Sequence, residues 1–167
     1  MRALGHLFAT RVGTRRRFPD DVLASIEQAI GSIETRTSAE IRFVIETALD
    51  LGDLFAGTTP RARAAQLFSL LQVWDTERRN GVLIYVLVAD RDVEIVADRG
   101  AAAVIPPEKW EAACKQMEEH FRVGRFAEGA LAGVTAVGAL LESHFPFESH
   151  EARTRDRDEL PNQPTLL

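Results

Sequence analysis

Residues 79–100 read RNGVLIYVLVADRDVEIVADRG. The run Val82–Ala89 is apolar without alternation, as expected of a central strand covered on both faces. A second run, Val93–Ala97, is broken by Glu94. It reads as an antiparallel edge strand that returns through a tight turn at Asp90-Arg91-Asp92. With the turn centred there, Leu83 falls opposite Asp98, within one residue. Val93, Ile95 and Ala97 then face the core, while Glu94 and Asp98 share the other face.

Working outward, residues 40–47 (EIRFVIET) give a first strand. Ile41, Phe43 and Ile45 lie on one face; Arg42 and Glu46 lie on the other, with Val44 between them. Between the strands sit a loop (48–58) and a helix opened by Thr59-Pro60, a capping residue followed by proline at the first helical position. Its stripe is Ala64, Leu67, Phe68 and Leu71. A strand–helix–strand crossover of this kind is parallel and right-handed. Three more helices follow from 3.6-residue spacing. One starts at Pro19-Asp20-Asp21 and carries Leu23, Ile26, Ile30 and Ile33. One starts at Pro106-Pro107-Glu108 and carries Trp110, Ala113, Cys114, Met117 and Phe121. The last spans Phe126–His144, with Leu131, Val134, Val137 and Leu141 inward. The order implies a layered α/β sandwich with a small mixed sheet.

The chain has 167 residues, 46% hydrophobic, with 20 basic and 25 acidic side chains. That is one domain with a real core, and its net charge of −5 argues against whole-surface binding of nucleic acid. Residues 1–18 form a basic N-terminal arm, read as a solvated leader in preference to a membrane-surface or partner contact. Residues 19–145 form the α/β domain. Residues 146–167, charged and proline-containing, are expected to be a loosely ordered tail. One cysteine excludes an internal disulfide. GHLFA is too short for a signal-peptide core, and Ala130–Leu141 is too short to span a bilayer, so no transmembrane segment and a cytoplasmic location are expected.

Parallel pairing gathers the starts of both strands, Glu40 and Asn80, at one end of the sheet. The hairpin returns Asp98-Arg99-Gly100 there, and the loop Trp74-Asp75-Thr76-Glu77 arrives there too. Asp50, Asp53, Asp90 and Asp92 collect at the opposite end, about 26 Å away along the strand. Clustered carboxylates repel unless a cation or an arginine intervenes. Hard cations take six to eight oxygens. Asp75, Glu77, Asn80 and Asp98 are therefore the candidate ligands for Ca²⁺ or Mg²⁺, the alternative being simple pairing with Arg78, Arg79 and Arg99. At the other end the aspartates suit turns, yet open α/β sheets place ligands at the carboxyl ends of parallel strands. There is no GxGxxG, no P-loop lysine, no HExxH and no GxSxG elbow. Cys114 reads as a packed thiol rather than a nucleophile.

SAEIRFVIET, NGVLIYVLVADRDVEIVADRG and FRVGRFAEGALAGV together resemble the TPM domain family over roughly residues 20–145. The matching positions are Ser38–Ile41, Asn80–Leu83, Asp90-Arg91, Gly100 and Phe121/Gly124/Phe126/Gly129. Trp74-Asp75-Thr76-Glu77 and Glu159-Leu160-Pro161 resemble a short bacterial subgroup. The resemblance implies a Rossmann-like αβα sandwich; some members are described as acid phosphatases, and calcium binding occurs in the family. Ala39 and Asp98 stand where relatives carry glycine or a similar small residue, and Asp75-Thr76-Glu77 replaces a glycine-containing loop. Two functions follow. One is a divalent-cation-binding accessory or assembly and quality-control module with a protein partner. The other is a metal-dependent phosphatase-like hydrolase in which Asp75 and Asp98 hold the ion and Arg99 clamps a small phosphorylated ligand.

Overall fold

The computed structural model describes residues 2–147, 149–155 and 158–167. Strands β1 (Ile41–Glu46), β2 (Val82–Leu87), β3 (Asp92–Ala97) and β4 (Thr165–Leu166) form one sheet in the order β3-β2-β1-β4. β1 and β2 pair in parallel, Ile41 opposite Val82; β2 and β3 pair antiparallel. Helices α3 (Asp20–Glu34), α7 (Pro107–Arg122) and α8 (Phe126–His144) cover one face. Helix α5 (Pro60–Leu70) covers the other. Shorter helices α1 (Arg2–Phe8), α2 (Arg11–Arg17), α4 (Leu51–Phe55), α6 (Arg99–Val104) and α9 (His150–Arg155) lie around them. The αβα sandwich expected from the sequence is the observed fold.

Alternation along β1 divides the two cores. Ile41, Phe43 and Ile45 pack toward α3, α7 and α8, while Val44 joins Leu67, Leu83 and Tyr85 beneath α5. Helix α8 has the length and apolarity of a membrane span, yet it is packed here against α3 and α7. Its small residues allow this approach: a Cβ on Gly133 would lie 2.0 Å from Met117 Sδ.

The hairpin register differs from the sequence reading. Leu83 lies opposite Val96, and the turn occupies Val88–Arg91, so Asp92 already belongs to β3 opposite Leu87. Arg91 adopts φ +54°, and its N–H bonds Val88 O at 3.2 Å, which closes the turn earlier than the aspartates implied. The return to the start of β2 is nevertheless made. Asp98 N–H donates to Gly81 O at 2.9 Å and Gly100 N–H to Arg79 O at 2.8 Å. A Cβ on Gly81 would stand 2.0 Å from Val73 O, so glycine is required at this close approach.

The two chain ends are built into the fold, the N-terminal one as helix and the C-terminal one with more order than expected. The basic arm is folded as α1 and α2. The C-terminal segment, expected to be loosely ordered, contributes a helix and a strand among its described residues. β4 pairs in parallel with β1, Val44 opposite Thr165. Leu167 N–H donates to Ile45 O, and Thr47 N–H donates to Leu167 O. Arg42 donates to the carbonyls of Pro161 and Gln163 and to Thr165 Oγ1, while Leu160 is buried in the α5-side core. An arginine on this strand thus tethers the segment that covers the strand's open edge. Truncating this anchor, Leu160→Ala, is expected to lower the unfolding free energy by about 2–4 kcal/mol, read as a shift in urea midpoint. No shift would mean that the segment's docking adds nothing to stability.

Candidate functional site

The amino-terminal ends of β1 and β2 are stitched together by Asn80. Its side chain is fully buried. Nδ2 donates to Ser38 O at 2.9 Å, and Oδ1 accepts from Thr76 Oγ1 at 3.4 Å. The Asn80 N–H returns to the same hydroxyl at 3.1 Å. The oxygen expected to serve as a metal ligand is therefore already bonded.

The other sequence-derived residues surround this stitch without converging. Asp75 and Glu77 are exposed, and the Glu77 N–H donates to the Glu159 carboxylate at 3.0 Å. Asp98 is buried at the start of α6; Oδ1 accepts from Arg99 N–H at 2.7 Å, and Oδ2 has no hydrogen-bond partner. Arg99 is exposed. At the opposite sheet end the aspartates serve the backbone and its neighbours. Asp50 caps α4, Asp53 accepts from Thr58 Oγ1, and Asp90 bonds His6.

A different triad converges at the same amino end. The carboxylates of Glu34, Glu40 and Asp158 offer oxygens that all lie within 4.8 Å of one another, and no other such group occurs among the described residues. Glu34 ends α3, Glu40 precedes β1, and Asp158 enters from the C-terminal segment. Backbone N–H groups fix two of them. Ile41 donates to Glu34 Oε1 at 2.9 Å, and Leu160 donates to Glu40 Oε2 at 3.2 Å. A cavity of about 270 Å³ opens beside them, also lined by Asn162, Arg153 and Phe147. Asn162 hydrogen-bonds Glu34, yet its buried Oδ1 has no partner. Among the described residues, no arginine or lysine forms a salt bridge with any of the three carboxylates.

The electrostatics follow from that isolation. Burial, reinforced by the charge of Glu40, pushes the Glu34 carboxyl up to about 9 against the opposing N–H of Ile41. Burial likewise pushes Glu40 up to about 7, against the N–H groups of Leu160 and Glu159. The contrast is Glu46, buried like Glu40. Arg63 meets it with Nε at 3.0 Å and Nη2 at 2.8 Å, and Tyr85 donates its hydroxyl at 2.6 Å. Glu46 is a compensated core ion; the triad is a set of oxygen donors without a cation. Cys114 is held as an inert thiol, pushed up to about 12 by burial.

An open mixed sheet between helical layers, with three converging carboxylates at the amino ends of its parallel strands, defines an α/β-sandwich protein. A sequence profile of the TPM domain matches residues 16–140, and the chain belongs to the TPM domain family. The solution structure of the BA42 protein from the psychrophilic bacterium Bizionia argentinensis is similar, with 31% identity over 88% of this chain and 93% of that one and a TM-score of 0.72. The N-terminal domain of a P. gingivalis protein shares the fold at 21% identity, covering 78% of this chain and 81% of that one, with a TM-score of 0.62. That of the cg2496 protein from Corynebacterium glutamicum does so at 15%, covering 73% of this chain and 72% of that one, with a TM-score of 0.54. No curated protein matches the sequence.

Glu34 and Glu40 keep protons in the folded chain that an unfolded glutamate releases near pH 4.5. The folded state therefore binds more protons between pH 4.5 and about 9, and unfolding free energy falls as pH rises through that window. Glu34→Gln preserves the protonated shape and is expected to flatten the upper part of this slope in urea midpoints taken in chelator. An unaltered slope would show that Glu34 is not its source.

Proposed function

We propose that the protein is a divalent-cation-binding module of the TPM family, acting as an accessory to assembly or quality control of a protein partner. The observation that carries this reading is the convergence of Glu34, Glu40 and Asp158 with the unpartnered Oδ1 of Asn162. Ca²⁺ takes oxygen ligands at about 2.3–2.6 Å, so donors on opposite sides of the ion stand about 5 Å apart. The 4.8 Å spread of the triad fits that shell. Its exposed mouth leaves room for waters, and the all-oxygen set suits Ca²⁺ or Mg²⁺ over softer ions. When bound, such an ion supplies positive charge that relieves three clustered carboxylates and ties the C-terminal segment to α3 and β1.

Phosphate-ester hydrolysis is the second reading. It draws on the phosphatases among TPM proteins and on Arg153, which lines the triad's cavity where a phosphate oxygen would approach. The set Asp75, Asp98 and Arg99 offers it less support, because Asp75 and Arg99 are exposed while Asp98 is buried with Oδ1 on the Arg99 N–H.

Calcium chloride titrated into chelator-treated protein is expected to move the amide resonances of Glu34, Ile41, Leu160 and Asn162. Because the ion displaces protons from Glu34 and Glu40, affinity should rise with pH between about 6 and 9, and protons should be released on binding. Glu40→Gln is expected to weaken binding by about tenfold or more. Shifts confined to residues 75–80 and Asp98 would move the site to the sequence-derived set, and no response to Ca²⁺ or Mg²⁺ would remove the cation reading. Turnover of an aryl phosphate ester that needs the cation and is lost in Arg153→Ala would establish the second reading.

A further inference from the structure

The N-terminal arm is held to the carboxyl ends of the parallel strands by buried polar contacts. His6 is 5% exposed. Its Nδ1 accepts the Leu49 N–H at 3.0 Å, which leaves the Nε2–H to donate to Asp90 Oδ1 at 2.9 Å. Thr14, 2% exposed, donates its hydroxyl to Thr47 Oγ1 at 3.0 Å. Phe18 is fully buried against the rings of Phe121 and Phe126. These anchors fix which way the two short helices face. Phe8 and Val12 each lie two residues from an anchor, about 200° round a helix, and so point away from the body. They are 77% and 63% exposed, and Leu7 beside them is 64% exposed. Helix α4 begins two residues after the His6 contact and leaves Leu51 and Phe55 exposed as well.

Charge on the arm is one-signed. Residues 1–18 hold five of the chain's 20 basic residues (Arg2, Arg11, Arg15, Arg16 and Arg17) and none of its 25 acidic ones. Arg15 meets Asp20 only at 3.5 Å between exposed side chains, which screens little of that charge. Arg17 and Arg91 line a cleft of about 340 Å³ with Phe8 and Thr10, and no acidic residue lines it. In a chain of net charge −5 the arm thus gathers cations and protruding apolar side chains, while the acids of that sheet end, Asp50, Asp53, Asp90 and Asp92, lie outside it. The acidic triad stands at the other end, about 20 Å away along the strands. Exposed phenylalanine, leucine and valine ringed by arginines form the pattern of an interfacial segment, whose apolar side chains enter the acyl boundary while the cations meet lipid phosphates.

We propose that α1 and α2 form a docking surface for an anionic lipid bilayer, with Phe8, Val12 and Leu7 inserted at the headgroup boundary. Arg11, Arg15, Arg16 and Arg17 supply the charge complementarity. In this orientation the carboxylate triad faces away from the lipid. The surface owes nothing to the cation reading, and it is tested without added divalent ions.

The test is co-sedimentation of the full chain with vesicles of equal parts phosphatidylglycerol and phosphatidylcholine, against phosphatidylcholine alone. Binding to the anionic vesicles is expected near 0.1 M salt and should be lost near 0.5 M, where screening shortens to a few ångströms. Each arginine near the surface contributes roughly fivefold to partition, so Arg15→Gln with Arg16→Gln is expected to weaken binding by about tenfold or more. Phe8→Asp with Val12→Asp should do the same. Circular dichroism and urea midpoints of both variants should match the parent, since none of the four side chains is buried. Equal partition onto both vesicle types, no binding to either, or a Phe8→Asp/Val12→Asp variant that binds as the parent does would overturn the proposal. So would a dimer in lipid-free sedimentation that Phe8→Asp dissolves while the parent ignores vesicles. That result would make the patch a contact between copies of the chain.

Discussion

Every residue of β2 from Val82 to Leu87 is buried, so each backbone N–H and C=O in that strand has to be paired within the protein. β1 satisfies one side and β3 the other, and the remaining placements follow from that pairing. Parallel pairing with β1 demands a crossover, which α5 supplies over the second face. Antiparallel pairing with β3 brings Asp98 and Gly100 back beside Gly81 and Arg79. The close approach there leaves no room for a Cβ on Gly81. Asn80, immediately before β2, then joins the two strand starts and uses its whole amide to do so.

The amino ends of the strands are consequently crowded with polar groups, and the protein handles its buried acids in two ways. Glu46 is met by a guanidinium and a phenol and adds nothing but cohesion. Glu34 is met by the N–H of Ile41 and the side chain of Asn162, Glu40 by the N–H groups of Leu160 and Glu159, with no guanidinium or phenol on either. A buried carboxylate placed only for structure is better compensated or replaced, because its desolvation is not otherwise offset. The uneven treatment of acids at the two ends of β1 is what the proposed cation site at Glu34 and Glu40 rests on.

The four long helices and the three longer strands were legible because their signals are local, whereas α4 lies in a stretch read as loop and α6 and α9 gave no signal of their own. Thr59-Pro60 and Pro106-Pro107 start helices where the structure has them, and β2 is apolar enough to exclude an exposed position. The hairpin register was misread by two residues because Asp90 and Asp92 look like turn formers, whereas the turn closes through the left-handed backbone of Arg91. The amino end of the sheet was found from topology, and Glu40 was placed there. Its partners were not, because Glu34, Asp158 and Asn162 meet only once the C-terminal segment docks, and a polar stretch with one leucine carries little periodicity. That leucine, between Glu159 and Pro161, was the available signal: a lone apolar residue beside a proline in a charged run marks an anchor.

Residues 158–167 hold the carboxylate of Asp158, the amide of Asn162, the Leu160 anchor and the strand that closes the sheet. Their partners on β1 lie some 120 positions earlier in the chain. The rim is thus assembled by one of the longest loop closures the chain makes. Proteolytic trimming of so short a piece would take Asp158 and Asn162 away from Glu34 and Glu40 and bare the edge of β1 in a single cut, exposing unpaired strand backbone to aggregation.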